Sequence, residues 1–174
     1  YPDGFKMKVH GPNDRYINDA KILEGVAQMF SRAGIDTSVE TMTKSVFFKR
    51  AYKGSPDGQP EFSLVLVGWG SGTGEASSPL KSLLATYNKD KGMGASNRGR
   101  HSNPKMDAVL DEALATVDDT KRAALLAKAT DIGIGEDQGI IPLHYQVNTW
   151  AAKKGLKYIA RTDERTYAMG VISQ

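Results

Sequence analysis

From Gly68 to Gly74 glycine occupies every second position, with Trp69, Ser71 and Thr73 between them. Glycine carries no side chain to hold a ligand away from the main chain, so its N–H groups can approach one closely. Ser71 and Thr73 add hydroxyls, and Trp69 adds a flat apolar plate with a single N–H donor. Trp69, Gly70, Ser71, Gly72 and Thr73 are therefore read as ligand-binding, with Glu75 as the acid of the same loop. The chemistry expected of such a set is recognition rather than bond cleavage. A tryptophan here either packs on the core or lines a cleft, and the sequence leaves both open.

Arginines supply the other binding chemistry. Arg98 and Arg100 lie among glycines and asparagines, and Arg15 follows the break Gly11-Pro12-Asn13-Asp14. A guanidinium fork suits a carboxylate or phosphate, which makes Arg98 a candidate ligand-binding residue, although each of the three reads more readily as a surface arginine. Catalytic patterns are missing from the sequence. Neither the loop at 68–74 nor the one at 92–99 has the G-x-G-x-x-G spacing that turns directly into a helix, and neither ends in the G-K-[ST] of a phosphate-cradling loop. His10, His101 and His144 form no i, i+4 pair that would hold a metal. His144, between Leu143 and Tyr145, is expected to be a satisfied structural residue of a strand. Asp107, Asp111 and Glu112 face away from the apolar stripe of their helix, and the serines at 71–78 lack the G-x-S-x-G elbow. No catalytic residue, metal or cofactor is expected.

The elements that must position these residues alternate. Residues 5–9 interleave Phe, Met and Val with Lys, as in a half-buried strand. Asn18 is expected to cap a helix whose Ile22, Leu23, Val26, Ala27 and Phe30 form one stripe, closed by Gly34. A strand over 35–41, a short helix capped by Thr43, a surface loop over 54–60 and an apolar strand over 62–67 follow. This β-α-β-α-β order predicts an α/β fold with a mostly parallel sheet flanked by helices. In such folds ligands sit beyond the carboxyl ends of the strands, which is where the 68–74 loop begins.

The second half reads as more helical. A short helix is expected over 79–87 and a polar loop over 89–102. Asn103-Pro104 is a cap followed by proline at the first helical position. Met106, Val109, Leu110, Ala113, Leu114 and Val117 then share an apolar face. Asp118 or Asp119 caps a further helix to about Ile132, residues 140–147 return as a strand, and 158–161 are extended.

The 174 residues suit a single domain, 1–174, with a real core. Lys and Arg number 23 against 20 acids and are interspersed, which argues against the clustered basic face of a nucleic-acid binder. No apolar run approaches the roughly 18–20 residues of a membrane span. Without cysteine there is no disulfide or thiolate site. An opening at Tyr1-Pro2-Asp3-Gly4, a turn signature without an initiating methionine, reads as a piece of a longer protein.

The succession PNDRYINDAKILEGVAQMFSRAGI, SLVLVGWGSGTGE, SNPKMDAVLDEAL, IIPLHYQVNTWA and RTDERTYA resembles the extracytoplasmic solute-binding family 5, the dipeptide-, oligopeptide- and nickel-binding proteins of ABC importers. The resemblance runs from Tyr1 to about Ala168. It implies a periplasmic-binding-protein-like (type II) lobe, most of the C-terminal lobe of a larger two-lobed protein. It also implies a non-enzymatic role: a peptide or similar small solute enclosed between two lobes and delivered to a membrane permease, in the periplasm or on a membrane-anchored lipoprotein. In the family's peptide binders an aspartate three residues after the tryptophan pairs with the peptide amine; here that position is Gly72, and Glu75 is the nearest acid. His101 stands where tyrosine is usual. A hydrolase- or transferase-type lobe and a partner-binding sensor are the alternative readings. A dimer through an exposed cleft surface is a further expectation.

Overall fold

Parallel strands cannot be joined by a tight turn; each return needs a crossover, usually a helix. The first 65 residues meet that requirement twice. The computed structural model describes residues 1–2, 4–52, 60–161, 163 and 165–174. β1 (Phe5–Pro12) lies at the centre of a three-stranded sheet of order β2-β1-β3. It pairs in parallel with β2 (Ile35–Met42) from Phe5↔Ile35 to Pro12↔Met42, and with β3 (Leu64–Val65) at Val9↔Leu64 and His10↔Val65. α1 (Asp19–Arg32) crosses from β1 to β2, and α2 (Lys44–Ala51) connects β2 towards β3. The α/β class with a parallel sheet is as the sequence predicts.

β1 runs three residues beyond the expected 5–9, into the break at Gly11-Pro12. Proline is tolerated there because the N–H of Asn13 donates to Met42 O on the β2 side, so that of position 12 would face β3. That ladder has already ended with Leu66 N–H to His10 O. β3 is shorter than the expected 62–67, and the predicted loop at 54–60 lies, apart from Pro60, outside the described residues.

The two helices cover opposite faces of the sheet. Val9, Leu23 and Ala27 form the α1 side, with Met7, Val39, Leu64 and Leu66 packed around them. Phe47, Ala51 and Phe62 form the α2 side, with Met42, Phe48 and Val65. Gly34 closes α1 with φ 91°, the left-handed position expected of it. Two expected caps are corrected. Asn18 itself turns left-handed (φ 56°) and its side chain caps nothing, while Asp19 bonds the turn instead. At α2 the Thr43 side chain likewise caps no backbone N–H, meeting only the Ser45 hydroxyl at 3.4 Å, and Asp14 Oδ1 accepts from Lys44 N at 2.6 Å.

A second, helical core follows. α3 (Ser77–Pro79) continues as a π-helical turn over Leu80–Leu84, ending before the predicted 87. α4 (Pro104–Ala115) and α5 (Asp119–Thr130) pack against it, and α5 also runs on into a π-helical turn, Asp131–Glu136. Leu80, Leu84, Met93, Met106, Leu110, Leu126 and Ile132 fill the centre. Full burial of each such side chain stabilises the fold by ~1.5–3 kcal/mol. The caps read from sequence hold here. Asn103 Oδ1 accepts from Lys105 N and Met106 N, and Asp118 Oδ1 from Lys121 N. Val117 does not join the apolar face: α4 stops at Ala115, the chain turns extended at Thr116, and Val117 is 93% exposed.

The predicted strand over 140–147 does not form. Among the described residues no strand edge pairs with it, and an alternating pattern without an edge makes no ladder; Ile141, Leu143, His144, Tyr145 and Val147 are exposed. His144 is therefore a surface residue rather than a structural one. Beyond it β4 (Leu156–Tyr158) pairs antiparallel with β5 (Val171–Ser173), so the extension expected over 158–161 begins earlier. Trp150 packs on Tyr158 with ring centroids 5.3 Å apart and donates to Thr166 Oγ1.

Candidate functional site

At the carboxyl end of β1 the chain must turn from a buried strand into α1, and Asp19 shapes that turn. Its buried carboxylate accepts from Arg15 N and Tyr16 N through Oδ2 and from Ala20 N through Oδ1, at 2.9–3.0 Å. Tyr16 is thereby aimed across to β3. Its hydroxyl donates to Gly68 O at 3.3 Å, and a β-carbon at Gly68 would lie 2.7 Å from Tyr16 Cε1. Only glycine permits that approach. The Arg15 guanidinium lies 4.9 Å from the Tyr16 ring centroid. Tyr16 and the turn made by Asp19 were not among the sequence candidates. The available signal was an Arg-Tyr pair in the break after β1, facing a glycine at the end of β3.

Trp69 follows Gly68 and is 43% exposed. The ring is therefore not in the core, and it stands on the open face beyond the sheet. Gly70, Ser71, Gly72 and Thr73 continue that face, with Ser71 Oγ and Thr73 Oγ1 3.2 Å apart. The loop's far end is tethered. Glu75 Oε1 accepts from Arg122 Nη2 at 2.6 Å and Oε2 from Arg122 Nε at 2.8 Å, while the Ser77 hydroxyl also donates to Oε1. Arg122 further donates to Ala113 O at 2.7 Å, tying the loop to both α4 and α5.

The Arg122 and Ser77 donors hold the Glu75 carboxyl at about 2, well below the usual 4.5. A folded value below the unfolded one means the pairing contributes fully above about pH 4.5 and is lost as pH falls towards 2. Melting temperatures of the parent and Glu75→Gln are expected to differ most at neutral pH and to converge below pH 4.5. A gap constant down to pH 2 would show that the pair does not stabilise the fold through its charge.

Arg98 is placed elsewhere. Its guanidinium lies 4.3 Å from the Tyr52 ring centroid and 5.7 Å from that of Phe48, and its enclosed Nε has no hydrogen-bond partner among the described residues. α2 starts beside Asp14, at the end of the sheet that carries Trp69. Tyr52 comes eight residues after Lys44, roughly 12 Å further along the helix. The structure thus brings Arg15, Tyr16, Gly68 and Trp69 together and leaves Arg98 in an aromatic clamp at the other end of α2. His101 is structural: Nδ1 donates to Leu84 O at 2.7 Å and Nε2 lies 2.8 Å from Asp137 Oδ2.

No family model matches the chain. It is 26% identical over 139 residues to the oligopeptide-binding protein OppA of Bacillus subtilis, covering 79% of this chain and 23% of that protein. It is 29% identical over 158 residues to the glutathione-binding protein GsiB of Escherichia coli K12, covering 90% and 30%. Its relatives are solute-binding proteins. Among solved structures, the murein tripeptide-binding protein MppA of Escherichia coli superposes with a TM-score of 0.73 at 19% identity, over 97% of this chain and 31% of that one. HbpA2 of Haemophilus parasuis gives 0.72 at 21%, over 100% and 33%. The fold is that of a periplasmic binding protein, and the resemblance to solute-binding family 5 is borne out by these homologues. The chain spans about a quarter to a third of the length of the relatives it matches.

Proposed function

We propose that this chain forms most of one lobe of a two-lobed solute-binding component of an ABC importer. The lobe offers one wall of a cleft for a peptide or similar small solute. The observation that carries this reading is the loop face at the carboxyl edge of the sheet. There Tyr16 locks the turn after β1 to Gly68, and Trp69 stands half-exposed beside it. That is the edge at which open α/β sheets bind ligands. Sequence relatives that bind oligopeptides and glutathione support the same reading. The remainder of the protein would supply the opposite wall, with hinge closure enclosing the solute before docking on a membrane permease. The role is binding without catalysis. The extracytoplasmic location follows the periplasmic binding proteins that share the fold.

Native mass spectrometry of the protein purified from its host without denaturation tests this reading. A discrete bound mass that disappears on unfolding is expected; a clean unliganded mass, unshifted by peptide mixtures, would overturn it. Trp69→Ala is expected to weaken solute binding by ~1–3 kcal/mol, the range for an aromatic ring stacked on a ligand. A loss of thermal stability with unchanged affinity would instead make the ring a packing element.

A further inference from the structure

Between Val9 and Gly11 the central strand buries an ionisable side chain, His10, which is 8% exposed. Its ring stacks on Phe62 with centroids 4.0 Å apart, and Nδ1 is enclosed without a hydrogen-bond partner among the described residues. Nε2 stands 3.7 Å from Glu40 Oε2, beyond hydrogen-bond range. The charged groups around the ring come from each neighbouring element. Glu40 sits opposite His10 in the β1–β2 ladder; its Oε1 accepts from Arg50 Nη1 of α2 at 2.7 Å and its Oε2 from Lys8 Nζ of β1 at 3.1 Å. Glu61, just before β3, accepts from Arg50 Nε at 2.7 Å. Arg50 and Lys8 hold the Glu40 carboxyl at about 2, so it stays ionised wherever a histidine titrates.

These carboxylates and cations already close on one another. A proton on His10 would add a positive charge beside Lys8 and Arg50 and leave Nδ1 an N–H donor in an enclosed place. Burial pushes His10 below the ordinary 6.5, and outweighs the Glu40 carboxylate and the Leu64 backbone that favour the proton; Arg50 and Lys8 lower it further. Closure around the neutral ring is therefore fully favoured above about pH 6.5 and is lost as pH falls through the depressed folded value. The weakest boundary of the ring decides what yields. β1 pairs with β2 over eight residues but with β3 at two, Val9↔Leu64 and His10↔Val65, followed by Leu66 N–H to His10 O. Phe62 and Leu64 lie on the segment that leads through Gly68 to Trp69.

We propose that His10 is a proton-operated release for β3: neutral, it lets that strand close on β1; protonated, it opens the β3 edge and loosens the loop face that follows. Weaker ligand retention in acid rests on the function proposed above; the opening of the strand does not. The test is NMR of the chain from about pH 7 to about pH 5, where histidine is the side chain that ordinarily titrates. It reads the His10 ring Cε1–H, hydrogen-exchange protection of the Leu66 amide, and the Trp69 indole N–H, assigned with His10→Phe and Trp69→Phe. His10 is expected to titrate below 6.5, and Leu66 protection to fall at least about threefold with the same midpoint. The Asn13 amide, bonded to Met42 O on the β2 side, should keep its protection. His10→Phe keeps a ring on Phe62 but takes no proton, so its Leu66 protection should not change with pH. If that variant does not fold, the coincidence of the ring and Leu66 midpoints in the parent decides. His144→Gln, at an exposed histidine, should leave the response intact. A His10 midpoint at or above 6.5, Leu66 protection that does not follow it, or a loss that survives His10→Phe overturns the release. Trialanine, whose termini ionise near about 8 and about 3.5, supplies the ligand arm. Followed at Trp69, it should bind the parent at least about threefold more weakly at the acid end of the range, and His10→Phe equally at both ends. Equal binding by the parent would overturn the ligand consequence and leave the strand release standing. If trialanine never moves the Trp69 signal, the binding reading fails and the Leu66 result still judges the release.

Discussion

Asp19→Ala is expected to destabilise the chain by ~3 kcal/mol, because one buried carboxylate satisfies three backbone N–H groups at the exit of the central strand. Removing it leaves the amides of Arg15, Tyr16 and Ala20 without those bonds, and two of them sit where water has limited access. For a chain of this size ~1 kcal/mol moves the melting temperature by roughly 2–4 °C, so a loss of roughly 6–12 °C is expected. Asp19→Asn keeps one acceptor oxygen and should lose about half as much. The damage should also be directional. The turn Asp19 shapes aims the Tyr16 hydroxyl at Gly68, so the Trp69 indole signal should broaden or shift at temperatures where the rest of the fold is intact. A variant that melts within about 1 °C of the parent would show that the turn is held by packing alone.

What the sequence made legible followed from local signals. Asn103-Pro104 and Asp118 act as caps because an Asn or Asp side chain needs only the next two or three N–H groups to do its work. The β-α-β-α-β order was readable because each apolar period sits inside its own element. Capping failed as a prediction where the acceptor came from outside the expected residue. Asp14 serves α2 from thirty residues upstream, and Asp19 displaces Asn18 from one residue downstream. The candidate face was half legible. Trp69 and its glycines lie on one continuous segment, but Tyr16 meets Gly68 across 52 residues and Arg122 meets Glu75 across 47. Nothing in a linear pattern reports such pairs. The same limit hid the partners of Glu75 and Arg98, since both are engaged by residues distant in sequence. The apolar alternation over 140–147 misled in the opposite way: it records a strand's period without the edge a strand requires.

Asn97→Ala is the second large effect expected, ~2–4 kcal/mol, and it reaches the candidate face from behind. Between the π-helical turn ending at Leu84 and the start of α4 at Pro104 the chain has no helix or strand, and a connection that long needs specific bonds to hold one shape. Asn97 supplies them from a buried position. Its Nδ2 donates to Ala85 O at 3.0 Å and His101 O at 2.7 Å, and its Oδ1 accepts from His101 N at 3.0 Å. Alanine would strand the Ala85 carbonyl in the helical core, where Ala85 itself is fully enclosed. Asn97→Asp, nearly identical in shape, is expected to be at least as damaging, since it replaces the donor by an oxygen facing two carbonyls. That order separates a hydrogen-bonding role from a space-filling one: if aspartate is tolerated and alanine is not, only volume matters at this position. The consequence for function runs through α3. The Trp69 loop is held at one end by β3 and at the other by Glu75 and the helix that starts at Ser77, and Asn97 fixes the exit of that helix at Leu84–Ala85. Loosening it should therefore weaken the ligand binding proposed at Trp69, although Asn97 belongs to a different segment of the chain.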